Sequence, residues 1–191
     1  MIDERVFESI QTRLPAGLTV PETTTGVHWF LYGLVRLHQP ELVVEIGTCR
    51  GDATAYLARA VLHNGHGRVE GYEARPDLQQ QTRAKINAAV GEDAPVIIHG
   101  PFPLNGGGPQ IQADFVFLDL DPKRDYYRAL NNLCLPPGGL LIAHDLTYPP
   151  DAKTVHGFGL HLREQGYEVL ELPQERGLVV ARVATPNKET T

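Results

Sequence analysis

Glu41-Leu-Val-Val-Glu45-Ile-Gly47-Thr-Cys-Arg-Gly51-Asp52 is the stretch from which the fold is read. Leu42 to Ile46 is a short apolar run rich in β-branched residues, the pattern of a buried parallel strand. The chain then turns through Gly47 to Gly51, and Asp52 stands as the N-cap of a helix expected over Ala53 to about Leu62. A strand, a glycine loop and a helix in that order form the ligand-binding corner of an open parallel sheet. There the glycines let backbone N–H groups and the helix N-terminus come close to a ligand.

The loop departs from a dinucleotide fingerprint. That motif needs Gly-x-Gly-x-x-Gly, whereas here Gly47 is followed by Gly51 and Cys49 stands where a second glycine would admit a pyrophosphate. Glu45, at the strand end, would repel a pyrophosphate and suit a cationic group. Cys49 reads as a small side chain in a tight turn, since no basic partner that would make it a nucleophile can be named. The other cysteine, Cys134, has no metal-ligand spacing to it, so neither a disulfide framework nor a zinc site is implied.

Outward from this corner the chain alternates. Upstream, Ile2, Val6, Ile10 and Leu14 mark one helical face over residues 2–13, and a second helix is expected from Thr24 or Thr25 to His38, ended by Pro40. Downstream, strands are expected at about 68–73, 95–99, 114–119 and 140–143, with helices at about 76–90, 124–134 and 153–165 between or after them. The Pro- and Gly-rich stretch 101–112 reads as a loop. Tyr167–Leu172 and Gly177–Val183 lie too close for a crossover and must form a hairpin, so one strand of an otherwise parallel sheet is antiparallel. The expected architecture is α/β, a seven-stranded Rossmann-like sheet with helices on both faces. The domain reading is a single domain over 1–191: a helical cap at 1–38, a core at 41–183 and a flexible tail at 184–191.

Composition narrows the partners. The chain has 191 residues, 42% of them apolar and 21% charged, the make-up of an ordinary globular protein. A net charge of −6 gives no basic stripe for nucleic acid. No window approaches the ~20 apolar residues of a membrane span, and the N-terminus has no basic-then-apolar signal pattern, so cytoplasmic residence is the expectation.

Two acidic sites share the expected ligand edge with Gly47. Glu73 ends the second strand, where a carboxylate can accept ribose hydroxyls and would repel a 2′-phosphate. Asp119 ends the strand Asp114-Phe-Val-Phe-Leu-Asp119, and His144-Asp145 ends the strand after Pro137-Gly-Gly. Glu45-x-Gly47-x-x-x-Gly51 resembles motif I of the class I S-adenosylmethionine-dependent methyltransferases, whose sheet has order 3-2-1-4-5-7-6 with strand seven antiparallel. Together with Tyr126-Tyr127 and the His144-Asp145 ending, residues 26–183 resemble the small-molecule O-methyltransferases of the catechol and caffeoyl-CoA type and their bacterial relatives.

The resemblance implies transfer of a methyl group from S-adenosylmethionine to a hydroxyl of a small-molecule acceptor, with a homodimer as the default assembly. It implies cofactor contacts from Glu45, Gly47, Thr48, Arg50, Gly51, Glu73, Gly100 and Asp119. It also carries a divalent-metal site onto Asp119, His144 and Asp145, which would activate the acceptor. Oxygen ligands suit magnesium, whereas the histidine suits a transition metal. His144 as a general base, and Asp145 as a mere N-cap, stay open beside the metal. Lys123 lies one residue out of register with the catechol-type lysine, behind Pro122, and its role is not carried over. His28, Trp29 and Tyr148 are candidates for the acceptor pocket, with packing the simpler reading of each. The rival functions are a non-catalytic S-adenosylmethionine-binding module and a NAD-dependent oxidoreductase.

Overall fold

The computed structural model describes residues 25–104, 110–122, 124–146, 152–172 and 177–185. The helix expected over 2–13, most of the expected tail, Lys123 and Tyr148 lie outside the described residues. Helix α1 (Thr25–His38) leads into β1 (Leu42–Ile46), α2 (Asp52–Asn64), β2 (Arg68–Tyr72), α3 (Pro76–Ala89) and β3 (Val96–His99). Then come β4 (Ile111–Gln112), β5 (Phe115–Leu118), α4 (Asp125–Leu130), β6 (Leu133–Cys134) and β7 (Leu140–His144). Helix α5 (Ala152–Glu164) and the hairpin β8 (Tyr167–Leu172) and β9 (Leu178–Val183) finish the chain.

The main sheet has seven strands in the order β3-β2-β1-β5-β7-β9-β8. Strand β9 runs antiparallel to both β7 and β8, while the other pairings are parallel. Counted along the chain without the two short strands, this is the expected 3-2-1-4-5-7-6 with the seventh strand reversed.

Period-two alternation builds a core on each face. Val44, Ile46, Val116, Leu118, Leu141 and Ala143 point to one side, against Tyr126, Ala129, Phe158 and Leu162 of α4 and α5. Val43, Phe115, Phe117 and Ile142 point to the other, against Val27, Leu31 and Val35 of α1 and Leu57, Ala58 and Val61 of α2. Being buried on both faces is what makes β1, β5 and β7 read as continuous apolar runs. None of the described helices is long and apolar enough to cross a membrane.

Two local expectations are corrected. The helix expected over 124–134 stops at Leu130, and Leu133–Cys134 instead pairs in parallel with Ile111–Gln112 as a separate two-stranded sheet. Asp52 is the first residue of α2 rather than its cap. Gly51 holds the cap position at φ 82°, and the Asp52 carboxylate pairs with the Lys85 ammonium.

The entry to the sheet centre is held by one side chain. Asp114, just before β5, accepts the N–H groups of Glu41 (3.1 Å) and Leu42 (2.9 Å) at the start of β1. Asp114→Ala is expected to lower the unfolding free energy by about 2 kcal/mol, and Asp114→Asn, which keeps an acceptor, by clearly less. Urea denaturation of both variants measures the difference, and equal stability of Asp114→Ala and wild type would contradict the role.

Candidate active site

The C-terminal ends of β1, β2, β5 and β7 open into one cavity of about 830 Å³. This is the edge where ligands bind in open parallel sheets. Its wall includes Glu45, Gly47, Thr48, Cys49 and Arg50 from the first strand and loop, Asp52 and Ala53 from α2, and Tyr72 and Glu73 from β2 and its end. Phe102 and Leu104, together with Asp119, Asp121, Asp125 and Asp145, line the far side.

The glycine loop takes its shape from its contacts. Gly47 has φ 94°, and its N–H donates to the Tyr72 carbonyl at 2.9 Å. A Cβ there would collide with the Asp119 carbonyl oxygen, so the loop can lie against the end of β5 only with glycine at this position. Cys49 also has positive φ (49°), and its N–H donates to Glu73 Oε2 at 2.9 Å. Thr48 is buried with its Oγ1 3.3 Å from Thr82 Oγ1, and the Thr82 hydroxyl donates to the Cys49 carbonyl at 3.0 Å. Thr48 therefore fixes the loop onto α3, while Arg50 is exposed at the cavity rim.

Glu73 is held at both oxygens. Oε1 accepts the Arg75 N–H at 2.9 Å while Oε2 takes that of Cys49. A carboxylate oxygen has two acceptor directions, so each keeps one for a ligand in the cavity. Glu45 differs: it is 1% exposed, and its Oε2 has no hydrogen-bond partner. Burial, opposed by the Thr54 hydroxyl and reinforced by the charges of Asp119, Asp52 and Glu73, pushes its carboxyl up to about 8. A buried carboxyl oxygen without a partner, on the wall of a cavity, fits a cationic ligand group.

Asp119, His144 and Asp145 come together at the ends of β5 and β7. One potential ligand atom from each lies within 4.8 Å of the others. His144 Nδ1 is 3.4 Å from Asp119 Oδ2 and 3.4 Å from Asp145 Oδ1, long for hydrogen bonds but compatible with three donors facing a common point. Two carboxylates with an imidazole form a donor set that fits a divalent cation, more a transition metal than magnesium. Asp119 and Asp145 reach the cavity wall, and His144 stands behind them, 6% exposed. Its position is fixed by Tyr126, which is fully buried. The Tyr126 hydroxyl donates to the His144 carbonyl at 2.6 Å and accepts the Leu120 N–H at 3.2 Å. Asp145 has φ 59°, a conformation that aspartate tolerates better than most residues.

The remaining expected residues separate. Gly51, packed against Thr82, and Gly100 are not on the cavity wall, although Arg50 and Asp52, and Pro101 and Phe102, beside them are. Trp29 packs edge-on against Tyr32 and Tyr56, away from the cavity. His28, for which packing was the simpler reading, lines the cavity from α1 with its ring centroid 5.3 Å from that of Tyr56. Nothing in the sequence near His28 distinguishes it, because its place depends on how α1 docks on α2. Tyr72 was also missed as a wall residue. Its ring lines the cavity and stacks on His99 at 4.8 Å.

The Glu45 shift has a consequence for stability. A carboxyl raised from 4.5 to about 8 stabilises the fold fully below pH 4.5, and that contribution is lost as pH rises through about 8. Between pH 5 and pH 9 the ligand-free wild type is expected to lose a few kcal/mol relative to Glu45→Gln, which cannot ionise there. Urea denaturation across this range tests it, and parallel pH curves for the two proteins would contradict the buried neutral carboxyl.

Residues 44–146 match a family described as a methyltransferase domain. No curated protein matches the chain significantly. Among solved structures, the fold is similar to an O-methyltransferase from Bacillus cereus in complex with SAH, at 22% identity and TM-score 0.65, covering 95% of this chain and 89% of that one. It is similar to the O-methyltransferase TomG from Streptomyces achromogenes, in complex with SAM, at 20% identity and TM-score 0.64, covering 97% and 92%. A putative caffeoyl-CoA O-methyltransferase from Staphylococcus aureus aligns at 17% identity and TM-score 0.64, covering 94% and 90%. The matched segment runs from the middle of β1 past the end of β7 and takes in Glu45, Glu73, Asp119, His144 and Asp145, more than half of the chain; the chain belongs to the methyltransferase-domain family.

Proposed function

We propose that this protein is an S-adenosylmethionine-dependent O-methyltransferase acting on a small molecule, with a divalent cation assisting at Asp119, His144 and Asp145. The observation that carries the reading is one cavity with two chemically distinct ends. At one end, Glu73 has acceptor directions left over for ribose hydroxyls, and the buried Glu45, whose Oε2 has no partner, suits an ammonium group. At the other, two carboxylates and an imidazole converge.

S-adenosylmethionine, when bound, supplies a methyl group on a sulfonium, and a cation at the triad supplies Lewis acidity that lowers the pKa of a hydroxyl. The chain itself supplies alignment and a partly desolvated wall. Phe102, Leu104 and Tyr72 provide the apolar surface, and the loop from Gly47 to Arg50 gives backbone access. His144 stands behind the two carboxylates rather than on the wall, which favours holding or orienting a cation over direct proton transfer. Cys49 in the loop weighs against the pyrophosphate of a dinucleotide, and the Glu73 carboxylate against a 2′-phosphate.

The test is transfer of labelled methyl from S-adenosylmethionine to a panel of catechols, phenols and carboxylates. Turnover is expected with a hydroxyl acceptor, is expected to fall on chelation, and should drop about 100-fold in kcat/KM in Asp119→Asn. Turnover indifferent to chelation would return His144 to the role of base. No transfer to any acceptor would favour a non-catalytic binding module.

A further inference from the structure

Seven acidic side chains line the cavity, whereas the only basic side chains on its wall among the described residues are Arg50 and His28. Arg50 is exposed at the rim and His28 is 8% exposed. An amino-acid ligand group is a zwitterion. Glu45 gives its ammonium a partner, and its carboxylate then needs a donor in a field of carboxylates. His28 Nδ1 is buried with no hydrogen-bond partner. His28 lines the cavity and Nε2 is not among its buried, unpartnered atoms, which leaves Nε2 as the ring nitrogen open to a ligand.

The surroundings of His28 suit an anion better than the rest of the wall does. Asp52 and Ala53, the first residues of α2, line the cavity with it, and a 13-residue helix presents free N–H groups at that end. The nearest carboxylate there, Asp52, is paired with Lys85. Burial holds the His28 pKa below the ordinary histidine value, against the pull of Asp52 and Asp119 and in line with the repulsion of His144 and Lys85. A neutral ring still donates from one nitrogen. A donor facing the start of α2 is the counterpart to Glu45 that a zwitterion requires.

The geometry points to His28 as the side chain that binds the carboxylate of the cofactor's amino-acid end, donating from Nε2 beside the N-terminus of α2. The assignment rests on the proposed S-adenosylmethionine site. It makes α1 part of the cofactor site rather than only a cover for the sheet.

The experiment is calorimetric titration of wild type, His28→Phe and His28→Asn. The two ligands are S-adenosylhomocysteine and its decarboxylated analogue, which keeps the amine and lacks only the carboxylate. His28→Phe is expected to weaken S-adenosylhomocysteine about tenfold or more while leaving the analogue unchanged, and His28→Asn, which keeps a donor, to recover part of the loss. Wild type is expected to bind the analogue about tenfold or more weakly than S-adenosylhomocysteine, a comparison that holds even if a variant fails to fold. Equal weakening of both ligands, or no weakening of S-adenosylhomocysteine, overturns the assignment. Wild type that binds neither ligand overturns the cofactor reading itself, and this proposal with it.

Discussion

The site depends on the two hydrogen bonds that Glu73 accepts. Its Oε2 takes the N–H of Cys49 and its Oε1 the N–H of Arg75, so one carboxylate ties the glycine loop after β1 to the start of α3. Both donors are backbone groups, so the tie fixes loop shape and not only side-chain position. Thr82 adds a second bond between the same two elements through the Cys49 carbonyl. The ligand-facing wall is thus set before any ligand arrives, with two acceptor directions of Glu73 still unused. Preorganisation of this kind lowers the ordering cost of binding.

The same wall concentrates negative charge, and the structure offsets this at particular points. Asp52 is paired with Lys85, Asp125 with Arg128 and Glu73 with backbone N–H groups, while burial keeps Glu45 neutral below about pH 8. Asp119 and Asp145 meet across His144. The charge of the cavity is therefore graded, from a corner where the acids are paired or neutral to one where two carboxylates and an imidazole converge, and the proposed function uses that gradient to align a charged methyl donor with an acceptor.

Much of the sheet was legible because its signals are local. β-Branched apolar runs gave β1, β5 and β7, and the short spacing between Leu172 and Leu178 forced the hairpin that reverses β9. The strand-end acids were legible for the same reason: a residue at the C-terminal end of a parallel strand faces the ligand edge whatever else the chain does. What escaped depends on distant parts of the chain. The pairing of Ile111–Gln112 with Leu133–Cys134 involves two residues per strand, too few for any period. Gly51 displaced Asp52 from the cap position because the turn there needs positive φ and Thr82 leaves no room for a Cβ. His28 reaches the cavity only through the packing of α1 on α2.

Under the proposed function, Glu73 anchors an S-adenosyl ligand at the end of β2. Calorimetric titration of wild type and Glu73→Ala, with S-adenosylhomocysteine and NAD in parallel, tests it most directly. Wild type is expected to bind S-adenosylhomocysteine at about micromolar Kd, Glu73→Ala to lose that binding, and neither protein to bind NAD. Preference for NAD, or undiminished S-adenosylhomocysteine binding by a folded Glu73→Ala, would contradict it.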